Sequence, residues 1–382
     1  MVEIQEVNQG SSKEKEFLKF ADKVYQNDKN WVKPLNQEML ESFDTLRNPF
    51  FKNGEARRWV LKSDDGCVGR IEAFINYQKK SGQNRLAGGI GFFEVSPCKS
   101  AAFKLFDTCK EWFKEKGVEF MDGPINFGEN DNNWGLLVKG FTQPSYGMNY
   151  NPKYYQSFFE EYGFEPLYEQ YTNHYDLKKP LPQRFKRIGQ RVLSNTHYEF
   201  KHFKLSQVEI LLKDLEVVYN QAWKDHQGFQ PIDYDYLFSS FKKMKSFLKE
   251  DLIWFAYADD RPIGFIVGIP DINQHLKPLN GKLNLLSMFK LCCYRLSHKI
   301  NKLRVIIMGI VPEYQNKGIE SALITHFFES VTAYKQYHEA ELSWVGSFNP
   351  KMLALHRASG ATHGKTHITY RYHLSNKTKK IV

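Results

Sequence analysis

Cysteine is scarce in this 382-residue chain, and what there is lacks pattern. Cys67, Cys98, Cys109, Cys292 and Cys293 form no CxxC pair and no spacing with histidine that suits a metal. A disulfide framework and a zinc ribbon are thereby excluded, and no metal is expected. Long apolar runs are missing too: no stretch reaches the roughly 20 residues of a membrane-spanning helix. MVEIQEVNQG has no basic segment followed by an apolar one, so no secretory signal is expected and the chain is expected in the cytoplasm. Acidic charge is the third shortage, leaving a formal net charge of +10. Such an excess suits nucleic acid, anionic lipid or an anionic cofactor, or merely solubility. It is diffuse except in residues 277–304.

Aromatics are abundant, with 30 Phe, 21 Tyr and 7 Trp. They supply core area and can line pockets. The length suits two domains of about 150 to 200 residues each. Periodicity and turn residues predict, in the first half, a strand, two helices (Ser11 or Ser12 capping the first), and a hairpin around Asp65-Gly66. A strand over 89–95, a helix over 101–117 and a strand over 119–122 follow. After the loop 123–135 come a short helix ending at Gly163 and a closing strand over 169–177. The second half repeats this order: strand 198–203, helices 207–222 and 234–247, a hairpin around Asp259-Asp260, strand 304–311, helix 318–336, strand 340–346, helix 349–360 and strand 366–374. The matching order is an internal repeat in pattern, though not in residue identity. It predicts an α/β (α+β) fold of two tandem domains, each a mixed, mostly antiparallel sheet flanked by helices. The expected bounds are 1–178, a basic linker helix within 179–196, and 197–382.

Several constellations invite chemistry. The loop Gly123–Gly135 is the densest polar cluster, longer than a simple connection needs. It makes Asn126, Glu129, Asn130, Asn132 and Trp134 candidate substrate-binding residues, against the alternative of a self-bonded surface loop. Trp223, with His226 and Phe229, lies between two helices and is a further candidate. Glu94 and Glu341 lie on or beside central strands, where a carboxylate can accept a proton from an attacking amine; a solvated strand-end charge is the plainer reading of each. In residues 277–304 Lys282, Lys290, Arg295, Lys299, Lys302 and Arg304 face no acid in sequence, and leucines, Met288 and Phe289 give an apolar face. Such a helix can lie on an anionic membrane, cover an acyl tunnel, or pack on the domain with a solvated basic edge.

Ile306 to Ile324, IIMGIVPEYQNKGIESALI, resembles the acyl-CoA-binding motif of the GNAT superfamily of N-acetyltransferases: a strand, V-x-P-x-x, Q/R-x-x-G-x-G/A, then a helix. Val311, Pro312, Gln315 and Gly318 stand at the matching places, while Glu320 replaces the family's second small residue. Asn349 to Ala361 resembles the family's last motif, with His356 where many members carry a tyrosine that protonates the leaving thiolate. In the first half only Asn151 to Phe164 matches, and the cofactor motif is absent. The resemblance implies acetyl-CoA or a longer acyl-CoA as co-substrate. It implies a donor site formed by Met308, Ile310, Val311, Gln315, Asn316, Lys317, Gly318, Ile319, Ser321 and Asn349, with the pyrophosphate at a helix N-terminus. The tandem order is similar to that of Fem-type peptidyltransferases and N-myristoyltransferases, an analogy of fold only.

Two readings follow. In the first, an amine of a small molecule or peptide attacks an acyl thioester directly, with His356, Glu341 and Glu94 as candidate catalytic groups. In the second, the chain is a tandem module without turnover, binding aminoacyl-tRNA or an anionic membrane through the basic insertion.

Overall fold

Among the described residues of the computed structural model, alternating apolar residues build thirteen strands and three-to-four spacing builds eleven α-helices. The structure describes residues 2–81, 85–128, 132–224 and 231–374, with side chains to residue 78 in the first span. Glu129, Asn130, His226 and Phe229 therefore lie outside the described residues.

The first half contains β1 (Glu3–Glu6), α1 (Ser12–Val24), α2 (Asn36–Glu41), β2 (Gly54–Ser63), β3 (Gly66–Ser81), β4 (Arg85–Val95) and α3 (Lys99–Glu115). It continues with β5 (Phe120–Gly123), β6 (Leu136–Lys139), α4 (Tyr155–Tyr162) and β7 (Glu165–Asp176). A joining helix, α5 (Gln183–Leu193), precedes β8 (Tyr198–His202), α6 (Val208–Trp223), α7 (Tyr234–Met244), β9 (Ile253–Ala258) and β10 (Arg261–Pro270). The insertion forms α8 (Asn273–Leu276) and α9 (Leu285–Ser297). Then come β11 (Lys302–Ile310), α10 (Ile319–Ala333), β12 (Glu339–Gly346), α11 (Pro350–Ala358) and β13 (Thr362–His373). Local signals fix several ends. Gly163 stops α4 at φ 104°, a left-handed value glycine takes without penalty. Asp233 caps α7 by accepting the Tyr236 N–H at 2.8 Å. Ser11 holds the N-cap position of α1 but does not cap it, because its hydroxyl donates to the Asn8 carbonyl at 2.7 Å instead.

All strands share one sheet, in the order β1-β2-β3-β4-β5-β13-β7-β12-β11-β10-β9-β8, with β6 paired to β13. The two halves exchange their closing strands. β13, from the end of the chain, pairs with β5 of the first half, Tyr370 opposite Gly123. β7, from the first half, pairs with β12 of the second, Tyr175 opposite Ala340. β7 and β13 pair with each other. The short strand β6, for which no element was expected from the sequence, exists because β13 offers it an edge, with Ile368 opposite Leu136.

Each half keeps its own core. In the first, Phe93, Phe106, Tyr155 and Phe159 interlock with ring centroids 4.8–5.4 Å apart. Each such buried ring contributes roughly 1.5–3 kcal/mol by leaving water. In the second, β9, β10, α6 and α10 enclose Phe255, Phe265, Leu323 and Val331. Helix α5 lies tightly along α10. A Cβ at Gly189 would come within 2.5 Å of Thr325 Oγ1 and 2.8 Å of the Ser321 carbonyl, so only glycine permits this approach.

Candidate active site

The site begins where two parallel strands part. β11 and β12 pair from Lys302 opposite Glu339 to Val305 opposite Leu342, and no further. Beyond that point β11 stays bonded to β10 as far as Ile310, and β12 to β7 as far as Gly346. The wedge between them is lined by Ile306, Ile307, Met308, Ser343, Trp344 and Val345. It opens into a cleft of about 1620 Å³. That exceeds the usual 300–1,000 Å³ of a small-ligand pocket and leaves room for two reactants.

One arm of the cleft is apolar, walled by Leu212, Leu215, Phe241 and Met244 of α6 and α7. Trp223 closes its inner end, stacked on Tyr219 at 4.7 Å, with its ring against Gly309, where a Cβ would approach within 2.5 Å. A second arm reaches the first half of the chain and is lined by Asn76, Asp122, Asn126, Asn132 and Trp134. Trp134 donates its indole N–H to Tyr168 at 2.8 Å. Asn126 Oδ1 is buried without a hydrogen-bond partner among the described residues. Asp122 holds Arg371 through two bonds of 2.7 Å, a bidentate pair across strands that lie 249 residues apart in sequence. Neither Asp122 nor Arg371 stood out in the sequence, because only the strand exchange brings them together.

At the other end of the cleft stand Asn349, Met352, His356 and Ser359. Asn349 caps α11 by accepting the Met352 N–H at 3.1 Å. His356 sits 3.0 Å through Nδ1 from the Asn173 amide nitrogen, and burial pulls its pKa down to about 4. It is therefore neutral at pH 7. With the Asn173 amide donating to Nδ1, its one N–H is on Nε2. In this half-buried setting the cationic form is disfavoured, and the Nε2–H is free to donate a hydrogen bond.

The two carboxylates weighed as candidate bases are each held in ion pairs. Glu341 is fully buried, and its Oε2 accepts Lys302 at 2.8 Å and Lys365 at 3.0 Å. Burial alone pushes its pKa up, but Lys365, Lys302 and Arg304 outweigh that and hold it well below the usual carboxylate range. A carboxylate so held is a poor proton acceptor, and it does not line the cleft. Glu94 is paired with Arg70 beside a separate cavity of about 70 Å³, too small for a substrate.

The motif loop lies beyond the cleft wall. Gln315 ties it down by donating to the Ile310 carbonyl at 3.1 Å, and Asn316 and Gly318 turn it with φ of 61° and 85°. Lys317 lies over the Tyr314 ring at 4.7 Å. Ile310, Val311, Ile319 and Ser321 are buried beneath it. Gly318 caps α10, whose first turn leaves N–H groups without intrahelical partners. Two features crowd that terminus. The Glu320 carboxylate turns back to accept the Asn316 N–H at 3.3 Å. Ile188 and Val192 of α5 stand 2.9 and 3.1 Å from where a Gly318 Cβ would be, so the close approach that this glycine permits is made by α5.

Residues 215–361 match the Acetyltransferase (GNAT) family. Over nearly its whole length the chain is similar to two curated proteins. It is 26% identical over 362 residues to a bacterial ceramide synthase of Caulobacter vibrioides, covering 93% of this chain and 94% of that protein. It is also 26% identical over 369 residues to protein YghO of Escherichia coli, covering 93% and 92%. Among solved structures, a tandem GNAT protein from the clavulanic acid biosynthesis pathway superposes with a TM-score of 0.59 at 10% identity, covering 98% of this chain and 99% of that one. A GCN5-related N-acetyltransferase from Sphaerobacter thermophilus does so with a TM-score of 0.52 at 12% identity, covering 98% and 96%. The parted strands and the left-handed glycine opening α10 accord with these matches: residues 215–361 match the GNAT family, in a chain with the tandem GNAT fold.

Proposed function

We propose that the chain is an N-acyltransferase that moves a long acyl group from acyl-CoA to the amine of a long-chain amino lipid. The observation that carries this reading is the cleft of about 1620 Å³, which runs through the strand wedge into an apolar arm and across to the polar wall of the first half. An acetyl group and a small amine need far less room. A ceramide is the amide of a fatty acid with a long-chain amino alcohol, so the relative named bacterial ceramide synthase supports the same choice.

In this reading the pantetheine arm enters between β11 and β12, beside Met308. The acyl chain or the lipid tail lies along Leu212, Leu215 and Met244, and polar groups of the acceptor meet Asn126 and Asn132. The amine nitrogen attacks the thioester carbonyl; the C–N bond forms as the C–S bond breaks, and the proton the amine loses balances the departing thiolate. His356 donates its Nε2–H toward the reacting thioester and Asn349 holds the helix that carries it. Holding both reactants in one geometry is the main source of rate here.

The test is calorimetric titration with acetyl-CoA and palmitoyl-CoA, followed by mass spectrometry of palmitoyl-CoA incubated with sphinganine. Tighter binding of the long-chain thioester and a new amide product are expected. Absence of binding by either thioester overturns the reading. That outcome would favour the second one, a tandem module without turnover, for which Glu320 on the loop amide and α5 over Gly318 speak.

A further inference from the structure

Helix α9 wears its apolar face outward. Of the fifteen large hydrophobic residues exposed among the described residues, six fall within 283–296. Leu285 is 90% exposed, Leu286 81%, Phe289 71% and Leu296 89%. At about 100° per residue these four, with the exposed Cys292 and Cys293, form one continuous stripe. The opposite side anchors the helix. Leu291 is buried, Tyr294 stacks on His298 at 3.9 Å, and Lys290 donates to the Pro278 carbonyl at 2.9 Å. The arrangement inverts that of an ordinary surface helix, whose apolar stripe faces the core.

Charge along the segment that carries the stripe has one sign. Lys282, Lys290, Arg295 and Lys299 are exposed, and no Asp or Glu occurs between Asp271 and Glu313. Arg295 reaches over the Phe247 ring at 5.2 Å, next to the exposed Lys245 and Lys249 that follow α7. The segments that hold α9 line the cleft, although the stripe itself does not. The Gly281 carbonyl, just before α9, accepts the Asn36 N–H at 2.9 Å. Pro34, Leu35, Met244, Leu248 and Leu276, from the segments that hold α9, line the cleft.

We infer that α9 docks the protein onto the surface of a bilayer rich in anionic phospholipid, with the stripe Leu285–Leu296 in the acyl region and the surrounding lysines at the headgroups. The occupant is chosen by charge and shape. An apolar stripe framed by cations fits an anionic interface. No helix among the described residues is long and apolar enough to cross a membrane, so α9 lies in the plane of the interface. That this brings an amino lipid to the cleft rests on the proposed function; the docking itself does not.

Vesicle co-sedimentation tests it, with phosphatidylcholine alone and with 30% phosphatidylglycerol added. The wild-type chain is expected to bind the anionic vesicles at least tenfold more tightly than the neutral ones, and less tightly as salt rises. Leu285→Ser/Phe289→Ser/Leu296→Ser is expected to lose binding to both while its circular dichroism and melting temperature stay unchanged. Lys282→Gln/Lys290→Gln/Lys299→Gln is expected to lose only the preference for anionic lipid. Wild-type binding no better than that of the serine variant overturns the inference. So does a dimer in sedimentation velocity that the serine variant abolishes while vesicle binding is absent, which would assign the stripe to a second copy of the chain. Acyl transfer measured in parallel with substrate in detergent micelles keeps the two proposals apart. Transfer in micelles without vesicle binding sinks only the docking; vesicle binding without transfer sinks only the enzyme.

Discussion

The two halves of the molecule part their central strands at the same place and then do different things with the gap. In the first half β4 and β5 pair from Ala87 opposite Phe120 to Gly89 opposite Asp122 and then diverge. The chain itself fills the space. The Ile125 N–H donates to the Ile90 carbonyl at 2.7 Å, and the Ile125 carbonyl stands 2.2 Å from where a Gly91 Cβ would be. The end of β4 is closed as well: Val95 N–H donates to the Tyr155 hydroxyl and Tyr154 donates to the Val95 carbonyl, both at 2.8 Å. In the second half the gap between β11 and β12 stays open and becomes the cleft. One fold thus offers two equivalent wedges, and the loop that spends its backbone groups in the first leaves the second open to the cleft.

The comparison is broken most severely at the charges that hold the open wedge. Glu341, fully buried, joins β12 to Lys302 of β11 and Lys365 of β13. Glu341→Gln leaves two buried ammonium groups short of a counter-charge, and a loss of about 3–5 kcal/mol is expected in urea unfolding. Activity per folded molecule should survive, which a catalytic base would not allow.

The first half carries the next largest effect. Glu72 is fully buried with neither carboxylate oxygen hydrogen-bonded, and burial pushes its pKa up to about 8 from an ordinary 4.5. The folded chain therefore keeps a proton that the unfolded chain has released. This group's contribution is intact below about pH 4.5 and is lost between there and about pH 8, at about 1.4 kcal/mol per pH unit. Glu72→Gln should flatten that part of the profile and be the more stable protein at pH 8, read as the difference between the two unfolding curves.

Element order was legible in the sequence because it rests on local periodicity; helix α5, at Gln183–Leu193, falls within the 179–196 expected for the basic linker helix. Strand order was not. The alternation in Thr362–His373 suits any neighbour, and nothing local shows that it pairs with β5. The same limit governs the site. Trp223, Met308, Asn126, Asn132, Trp134, Asn349 and His356 are brought to one cleft. Glu341 alternates correctly on its strand, yet its two lysines lie 39 and 24 residues away, so its saturation was invisible. The neutrality of His356 is a property of its burial, which sequence does not display.

Filling each wedge separates fold from ligand binding. Gly91→Ala drives a methyl into the Ile125 carbonyl, backbone that has no rotamer to yield, and should cost about 1–3 kcal/mol of stability. Met308→Trp narrows the open wedge instead. It should leave the melting temperature within a few degrees and weaken palmitoyl-CoA binding at least tenfold, about 1.4 kcal/mol. Equal losses of stability in the two variants would mean that the second wedge is core like the first.

The smallest effect sharpens the comparison most. Glu320 lies in the first turn of α10, where a carboxylate favours the helix by about 0.5 kcal/mol through its dipole. The same carboxylate accepts the Asn316 N–H, in the loop where the GNAT-like arrangement would seat a pyrophosphate, and it repels that anion. Glu320→Ala therefore trades one for the other: a slight drop in melting temperature, and CoA binding tightened by roughly threefold or about 0.6 kcal/mol. The gain should shrink as salt rises, because screening weakens the repulsion that the substitution removes. A variant that binds CoA no better than the wild type would show that α5, packed over Gly318, limits access to this terminus, and that the open wedge receives its thioester without a phosphate anchor there.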